Sequence, residues 1–456
     1  MKKKFIPILL SLIMVFGLAA CSNNTEDEEP VSTNVTDLIT RLDTYQKNKE
    51  EEKRLAEQKE LEKTLKLAKE KEAKKEEAKA RINKKQIEQR DRKEIAEEES
   101  NEDKRKPKIK KVKLKAFGDI MAHMVQIQYA YNRGGGDYDF SDQFTYLKDF
   151  IEDSDIAIGN YETTTNPNLA YAGFPRFNAP ASYLRDLKDA GFDIVSTANN
   201  HSMDTELEGV FSTMDAAKEA GLDYIGSFND KSERILYKEV NGLNIAFLAY
   251  TYGCNGRENL VIPREEVENL AYLSDEEQIK KDIRKAKTSG ADFIVIYPHW
   301  GIEYQSMPNE SQISLGRKMV DWGADLVIGN HPHVVEPVEF YETDDGREGL
   351  IAYALGNFIS FQNYENNNDI RVEHSLALEI DLEKDLTSGN KKIADVTFHP
   401  IWVGTYYDDY GTSIKNHLTE DFLEGGKYYD LVNENQRARI KQAHDMTLDI
   451  ANTGVN

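Results

Sequence analysis

Along the chain from residue 112, short apolar runs alternate with longer stretches in which apolar residues recur every three or four positions. The runs 112–117, 155–158, 193–197, 224–225, 292–297 and 325–328 predict strands. The stretches 141–152, 181–190, 206–220, 275–287 and 309–322 predict helices. Runs 238–241 and 243–250 meet at Asn241-Gly242, a dipeptide whose backbone freedom suits a tight hairpin. Later, 338–341, 351–355, 375–381 and 394–403 read as strands with little helix between them, and 418–450 reads as helix. Early alternation followed by a strand-rich half predicts an α/β fold in which two packed mixed sheets are flanked by helices. No linker-like stretch divides these residues, so they read as one large domain over 111–405, closed by a helical extension over 406–456.

The pattern before residue 111 is different. Residues 37–106 are nearly all Glu, Lys, Arg, Gln and Ala, without Gly or Pro. These are strong helix formers, and pairs such as Glu62/Lys66 and Glu70/Lys74 lie one turn apart. A long charged helix is expected over 37–108, with Pro107 at its end, and at ~1.5 Å per residue it would reach on the order of 100 Å. Leu38, Leu42 and Tyr45, then Leu61, Leu65 and Ala68, hint at a heptad seam that is not sustained. A single helix and a coiled coil both stay open. Residues 21–36 are polar and acidic and read as a flexible tether.

At the start, Lys2, Lys3 and Lys4 precede an apolar run over 5–20 that ends Leu18-Ala19-Ala20-Cys21. A basic start, a short apolar core and small residues describe an export signal, expected over 1–20. The run is near or below the ~20 residues that span a bilayer. Its ending resembles a bacterial lipobox, which implies cleavage and lipidation at Cys21, the alternative being an uncleaved anchor. Either places the chain on the extracytoplasmic face of the cell membrane. Cys254 is the only other cysteine, so an internal disulfide framework is excluded.

The formal net charge is −23. Residues 22–110 are balanced, leaving roughly −26 on residues 111–456, the opposite of a nucleic-acid-binding footprint. Nucleic acid is therefore excluded as a partner.

Candidate chemistry sits where the predicted strands end: Gly118-Asp119 with His123, Asn160-Tyr161-Glu162, Asn199-Asn200-His201, His299-Trp300-Gly301 with Glu303, and Gly329-Asn330-His331-Pro332-His333. Loops that follow strands converge on one edge of an α/β sheet. Imidazole, carboxylate and amide donors gathered there suit a divalent metal. His331 and His333 would share a face if their segment were extended. Glu303 and Asp204 are candidates to orient the imidazoles. Gly134-Gly135-Gly136 lacks a following Lys-Ser/Thr, so a phosphate-binding loop is rejected.

Together with Leu355-Gly356-Asn357-Phe358, these blocks resemble the bacterial capsule-synthesis CapA family, whose domain is related to calcineurin-like metallophosphoesterases. The resemblance implies an α-β-β-α sandwich and two divalent ions, Mn, Fe or Zn, bridged by one carboxylate. It implies Asp119, His123, Glu162, Asn200, His299, His331 and His333 as metal ligands. His201 would be the catalytic residue facing substrate, and Asn160, Asn199, Asp204, Trp300, Glu303 and Asn357 would support the ligands or touch substrate. Glu162 stands where the related phosphatases use Asp, and His123 lies four residues after Asp119 where they place a histidine two residues after. The implied partners are an anionic capsule polymer such as poly-γ-glutamate or a phosphoester, with membrane polymer-synthase subunits a further possibility. A metal-dependent hydrolase is the favoured reading, against a non-catalytic metal-binding accessory or scaffold of a capsule polymer synthase.

Overall fold

The computed structural model describes residues 108–260 and 269–455, preceded by the isolated helical positions Thr40, Asp43, Thr44, Lys47, Lys49, Arg54 and Lys85. The chain divides into two units, Met1–Glu72 and Ala73–Asn456. The signal, the tether and most of the charged stalk lie outside the described residues. Among those residues no helix is long and apolar enough to cross a membrane.

The larger unit is built on two mixed sheets. In the first, β1 (Ile109–Ile120) lies centrally, flanked on one side by the parallel strands β2 (Ile156–Tyr161), β3 (Ile194–Ser196) and β4 (Asp223–Ile225). On its other side run the antiparallel strands β12 (His374–Asp385), β13 (Lys391–Asp408) and β14 (Gly411–Leu418), and the short β11 (Asn357–Ile359) pairs with the C-terminal end of β1. The second sheet has the order β5-β6-β7-β8-β10-β9, comprising Leu236–Val240, Leu243–Thr251, Phe293–His299, Leu326–Ile328, Glu348–Ala352 and Val338–Glu342. Asn241 and Gly242 turn the β5–β6 hairpin with φ of 51° and 79°, the left-handed pair that this dipeptide favours.

Strand alternation sorts the side chains into layers. Val112, Leu114, Ile156 and Ile158 meet Ile245, Phe247, Phe293, Val295 and Tyr297 between the sheets. Their neighbours point outward: Phe117, Ala157 and Val195 pack against Ile127, Leu184 and Leu187, and Ile294 and Ile296 against Ile279, Ile283, Met319 and Val320. The result is helix, sheet, sheet, helix, as the pattern predicted.

Three stretches depart from expectation. The 141–152 stretch is a 3-10 turn, Ser141–Phe144, and a short helix, Lys148–Glu152, while the helix Met124–Arg133 went unpredicted. The boundary placed at 405/406 falls inside β13, and β14 completes the sheet, so residues 406–418 belong to the domain rather than to a helical extension. Helix is then interrupted: Gly425, at φ 85°, and Gly426 separate Thr419–Phe422 from Glu434–Ala451, which Asn433 caps.

Candidate metal centre

The C-terminal ends of β1, β2, β3 and β7, and the loop after β8, bring the conspicuous residues together. Asp119 and Glu162 are fully buried, and Asn160 holds both, its Nδ2 donating to Asp119 Oδ1 at 2.8 Å and to Glu162 Oε2 at 3.2 Å. His333 Nδ1 lies 3.2 Å from Asp119 Oδ2, and its Nε2 lies 3.8 Å from Glu162 Oε1. His299 Nε2 lies 3.8 Å from the same Glu162 oxygen and 2.8 Å from Asn200 Oδ1. His331 completes the cluster, its ring 4.8 Å from that of His299.

Donor atoms of three residue sets converge within 4.8 Å of one another: Asp119 with Glu162 and His333, Glu162 with His299 and His331, and Glu303 with His331 and His333. Glu162 therefore belongs to two adjoining sets. Its Oε1 and His331 Nδ1 are buried without a hydrogen-bond partner, a costly state that a bound cation relieves. Burial pushes His299 well below the ordinary imidazole range and His331 down to about 3, with the neighbouring histidines adding to both. These rings are neutral near pH 7, the form that ligates metal. For Asp119, burial works upward, but hydrogen bonding and charge from His333 hold it low. Burial and the Asp119 charge drive Glu162 well above the usual carboxylate range. Two buried carboxylates side by side with neutral imidazoles form an acceptor-rich cage to which a divalent ion brings the compensating charge.

The His331–His333 segment does not converge as a strand. Both residues have left-handed φ, 103° and 59°, with Pro332 between them. Such backbone costs of order 1–3 kcal/mol per residue and persists where the surroundings over-determine it. Here His331 N donates to Asp119 Oδ2 at 3.3 Å, His333 Nδ1 meets Asn357 Oδ1 at 3.0 Å, and Pro332 O accepts from Tyr304 N at 2.8 Å.

Supporting groups occupy distinct places. Asp204 Oδ2 lies 2.7 Å from His201 Nδ1 and accepts from Phe177 N at 2.6 Å. Asn199 Nδ2 donates to Tyr161 O at 2.8 Å, and its Oδ1 accepts from His201 N at 3.1 Å, fixing the loop that carries His201. Glu303 is exposed, with a carboxylate oxygen within 4.8 Å of ring nitrogens of His331 and His333. His123 joins none of the three sets: it begins the helix Met124–Arg133, and its Nε2 lies 3.1 Å from Ser360 Oγ. Trp300 faces away from the centre, its Nε1 donating to Tyr353 O at 2.8 Å within the outer core.

Sequence reasoning missed the aromatic wall. Tyr252 lies nearly parallel to His299 at 6.2 Å and sits 4.8 Å from His331, and Tyr304 lies 6.1 Å from His333. Arg371 ties down the Tyr304 loop by donating to Tyr304 O at 3.0 Å and Ser306 Oγ at 2.7 Å. Tyr252 follows β6 directly, so its strand-end position was the available signal; Arg371 had none.

Comparison with known proteins gives a family match over residues 113–362, to the model described as "Bacterial capsule synthesis protein PGA_cap". The capsule biosynthesis protein CapA of Bacillus anthracis is 34% identical over 272 residues, 57% of this chain and 62% of that protein. The PGA biosynthesis protein CapA of Bacillus subtilis (strain 168) is 31% identical over 268 residues, 56% of this chain and 65% of that protein. The match thus spans under two thirds of these relatives' length. Among solved structures, the calcineurin-like phosphoesterase YfkN from Bacillus subtilis aligns with a TM-score of 0.37 at 16% identity, covering 75% of this chain and 98% of that one. A phosphatase from Mycoplasma pneumoniae aligns with a TM-score of 0.38 at 13% identity, covering 64% and 94%.

Proposed function

This chain belongs to the bacterial capsule synthesis protein PGA_cap family, and from that premise we propose that it is a metal-dependent hydrolase with a two-ion centre. It would act on a phosphoester or a related bond during capsule polymer assembly. The observation that carries this reading is Glu162, a buried carboxylate common to two adjoining donor sets, with one oxygen unpartnered. Asp119, Glu162 and His333 would hold one ion, and Glu162, Asn200, His299 and His331 the other. When bound, such a pair lowers the pKa of a water and stabilises charge on the transferring group. Asn160 keeps the two carboxylates in register through its split Nδ2 contact. Asp204 fixes the His201 ring by its Nδ1, which leaves Nε2 as the atom to exchange a proton with substrate.

We place the protein at the extracytoplasmic face of the membrane, anchored through lipid on Cys21, with membrane polymer-synthase subunits as its neighbours. The Leu18-Ala19-Ala20-Cys21 ending supports that reading.

Turnover of a panel of phosphoesters and γ-glutamyl amides, measured beside metal content, tests the assignment. His201→Ala should keep its metal and lose roughly 100- to 10,000-fold in rate, whereas Asn200→Ala should lose metal as well. Normal turnover by the His201 variant would remove His201 from the catalytic step, whereas no turnover of any compound by the wild type, or normal capsule formation in cells that carry the variant, would replace the hydrolase with a metal-binding accessory.

A further inference from the structure

The charge balance of residues 22–110 conceals a local run. Lys104-Arg105-Lys106-Pro107-Lys108-Ile109-Lys110-Lys111 holds six cations and no acid. Its second half lies in the domain, where Lys108, Lys110 and Lys111 are exposed around the start of β1. Cations from other elements gather at this foot of the sheets. Lys111 and Lys392 both pair with Glu383, at 2.5 and 3.1 Å, while Lys108 and Lys110 enter no ion pair among the described residues. Asn241 Nδ2 donates to Lys111 O at 3.1 Å and Asn244 Nδ2 to Gly290 O at 3.1 Å. That hairpin thereby joins the start of β1 to the end of the helix Glu276–Thr288, which carries the exposed Lys285 and Lys287. The acids nearby are engaged or set back. Asp385 closes the β12–β13 turn by accepting from Thr387 N and Ser388 Oγ, each at 2.8 Å, and Asp381 and Asp395 face each other further along those strands.

Two aliphatic side chains stand among these cations. Ile109 is 39% and Leu386 45% exposed, and Leu386 N donates to Lys108 O at 3.0 Å. The pairing of basic and apolar side chains narrows the occupant. A dissolved polyanion would match the lysines and leave the aliphatic pair in water. The surface of an anionic bilayer takes both, with headgroup phosphates on the lysines and the edge of the acyl region under Ile109 and Leu386. A basic run of this length beside a membrane anchor is the arrangement that anionic lipid attracts. The chain that leads back to Cys21 enters the domain at this foot. β1 then carries Asp119 roughly 30 Å away, at ~3.3 Å per residue.

We propose that this foot, with Lys108, Ile109, Lys110 and Leu386 at its tip, docks on anionic lipid headgroups. Docked so, the domain holds the metal centre on the side facing away from the bilayer. That orientation rests on the membrane placement proposed above; the lipid binding itself does not.

The test is cosedimentation with lipid vesicles of the chain from residue 21 onward, carrying Cys21→Ser so that no acyl group is present. It should bind vesicles of mixed phosphatidylglycerol and phosphatidylcholine, bind pure phosphatidylcholine about tenfold more weakly or less, and be released by about 0.5 M salt. Lys108→Glu combined with Lys110→Glu, and separately Leu386→Asp, should each weaken binding about tenfold or more. All three side chains are exposed, so melting temperature and metal content should stay at their unsubstituted values. No binding to the anionic vesicles, the result if the acidic stretch 94–103 covered the foot, overturns the proposal. So does equal binding by both variants, which would move the contact to another part of the chain. Foot-dependent binding of poly-γ-glutamate in place of the vesicles overturns it as well. Because this chain has no lipid anchor, failure of the docking and failure of lipidation at Cys21 are read separately.

Discussion

Asn160 illustrates how much of the candidate centre depends on a side chain outside the three donor sets. Its single amide nitrogen reaches Asp119 and Glu162 and lies 3.3 Å from His299 Nδ1. Removing it frees the two buried carboxyl groups to separate, and groups of this kind are worth 10–100-fold in metal affinity. Asn160→Ala should therefore weaken metal binding by about that factor in a competition titration; unchanged affinity would mean that the carboxylates are fixed by something else. At this scale the strand-end blocks were legible because Asp, Glu, Asn and His are rare together and each follows an apolar run. The left-handed backbone of His331 and His333 was not, since it follows from contacts to Asp119, Asn357 and Tyr304 that are remote in sequence. Nor did sequence place Trp300, whose apolar ring and single donor suit a core as well as a cleft.

Where whole elements meet, the tightest constraint lies between β1 and the turn before β11. A Cβ on Gly118 would fall 1.9 Å from Gly356 O, and Asp119 N donates to that same oxygen at 3.0 Å. Backbone cannot move aside there without shifting Asp119, so Gly118→Ala should destabilise the fold by about 1–3 kcal/mol or more and lower metal occupancy with it. Thermal unfolding checks the first, and a wild-type melting temperature would contradict it. Elements were read well where apolar residues dominate the buried face: the helix Glu206–Ala220, which buries Val210, Met214, Ala216 and Ala217 with Thr213 beside them, and the β5–β6 hairpin fall where the pattern put them. They were missed where buried faces carry polar residues. The helix Met124–Arg133 buries Gln126 beside Ile127, Tyr129 and Ala130, and β14 buries Ser413, Asn416 and His417. Each of those breaks the apolar period while remaining part of the interior.

Taken as a whole, the molecule should carry a marked pH dependence outside its site. Glu336 is fully buried, with Oε2 accepting from Gln312 Nε2 at 2.7 Å and Oε1 unpartnered. Burial pushes its carboxyl from 4.5 up to about 8. A folded-state pKa above the unfolded one means that the unfolded chain releases this proton first. Glu336 therefore costs nothing below pH 4.5 and progressively destabilises the fold as pH rises from there through about 8, by several kcal/mol at about 1.4 kcal/mol per unit. Glu336→Gln should raise the melting temperature clearly at pH 9 and little at pH 5; an equal shift at both would remove the account. The depressed histidines act in the other direction. With His331 at about 3 in the fold against 6.5 outside it, its contribution is complete above pH 6.5 and is lost as pH falls toward 3. The proposed lipid anchor is tested at the same scale: Cys21→Ser should leave an unprocessed or soluble protein, because acyl chains supply the membrane affinity, and a mature-size variant that partitions wholly with membranes would refute lipidation there.

The central claim, that Glu162 is shared by two metal ions, is tested most directly by anomalous diffraction from crystals of the protein grown with Mn. The account predicts two peaks flanking the Glu162 carboxylate, one beside Asp119 and His333 and the other beside Asn200, His299 and His331, with both lost in Glu162→Ala. A single peak that Glu162 does not touch, or two peaks that survive its removal, would contradict it.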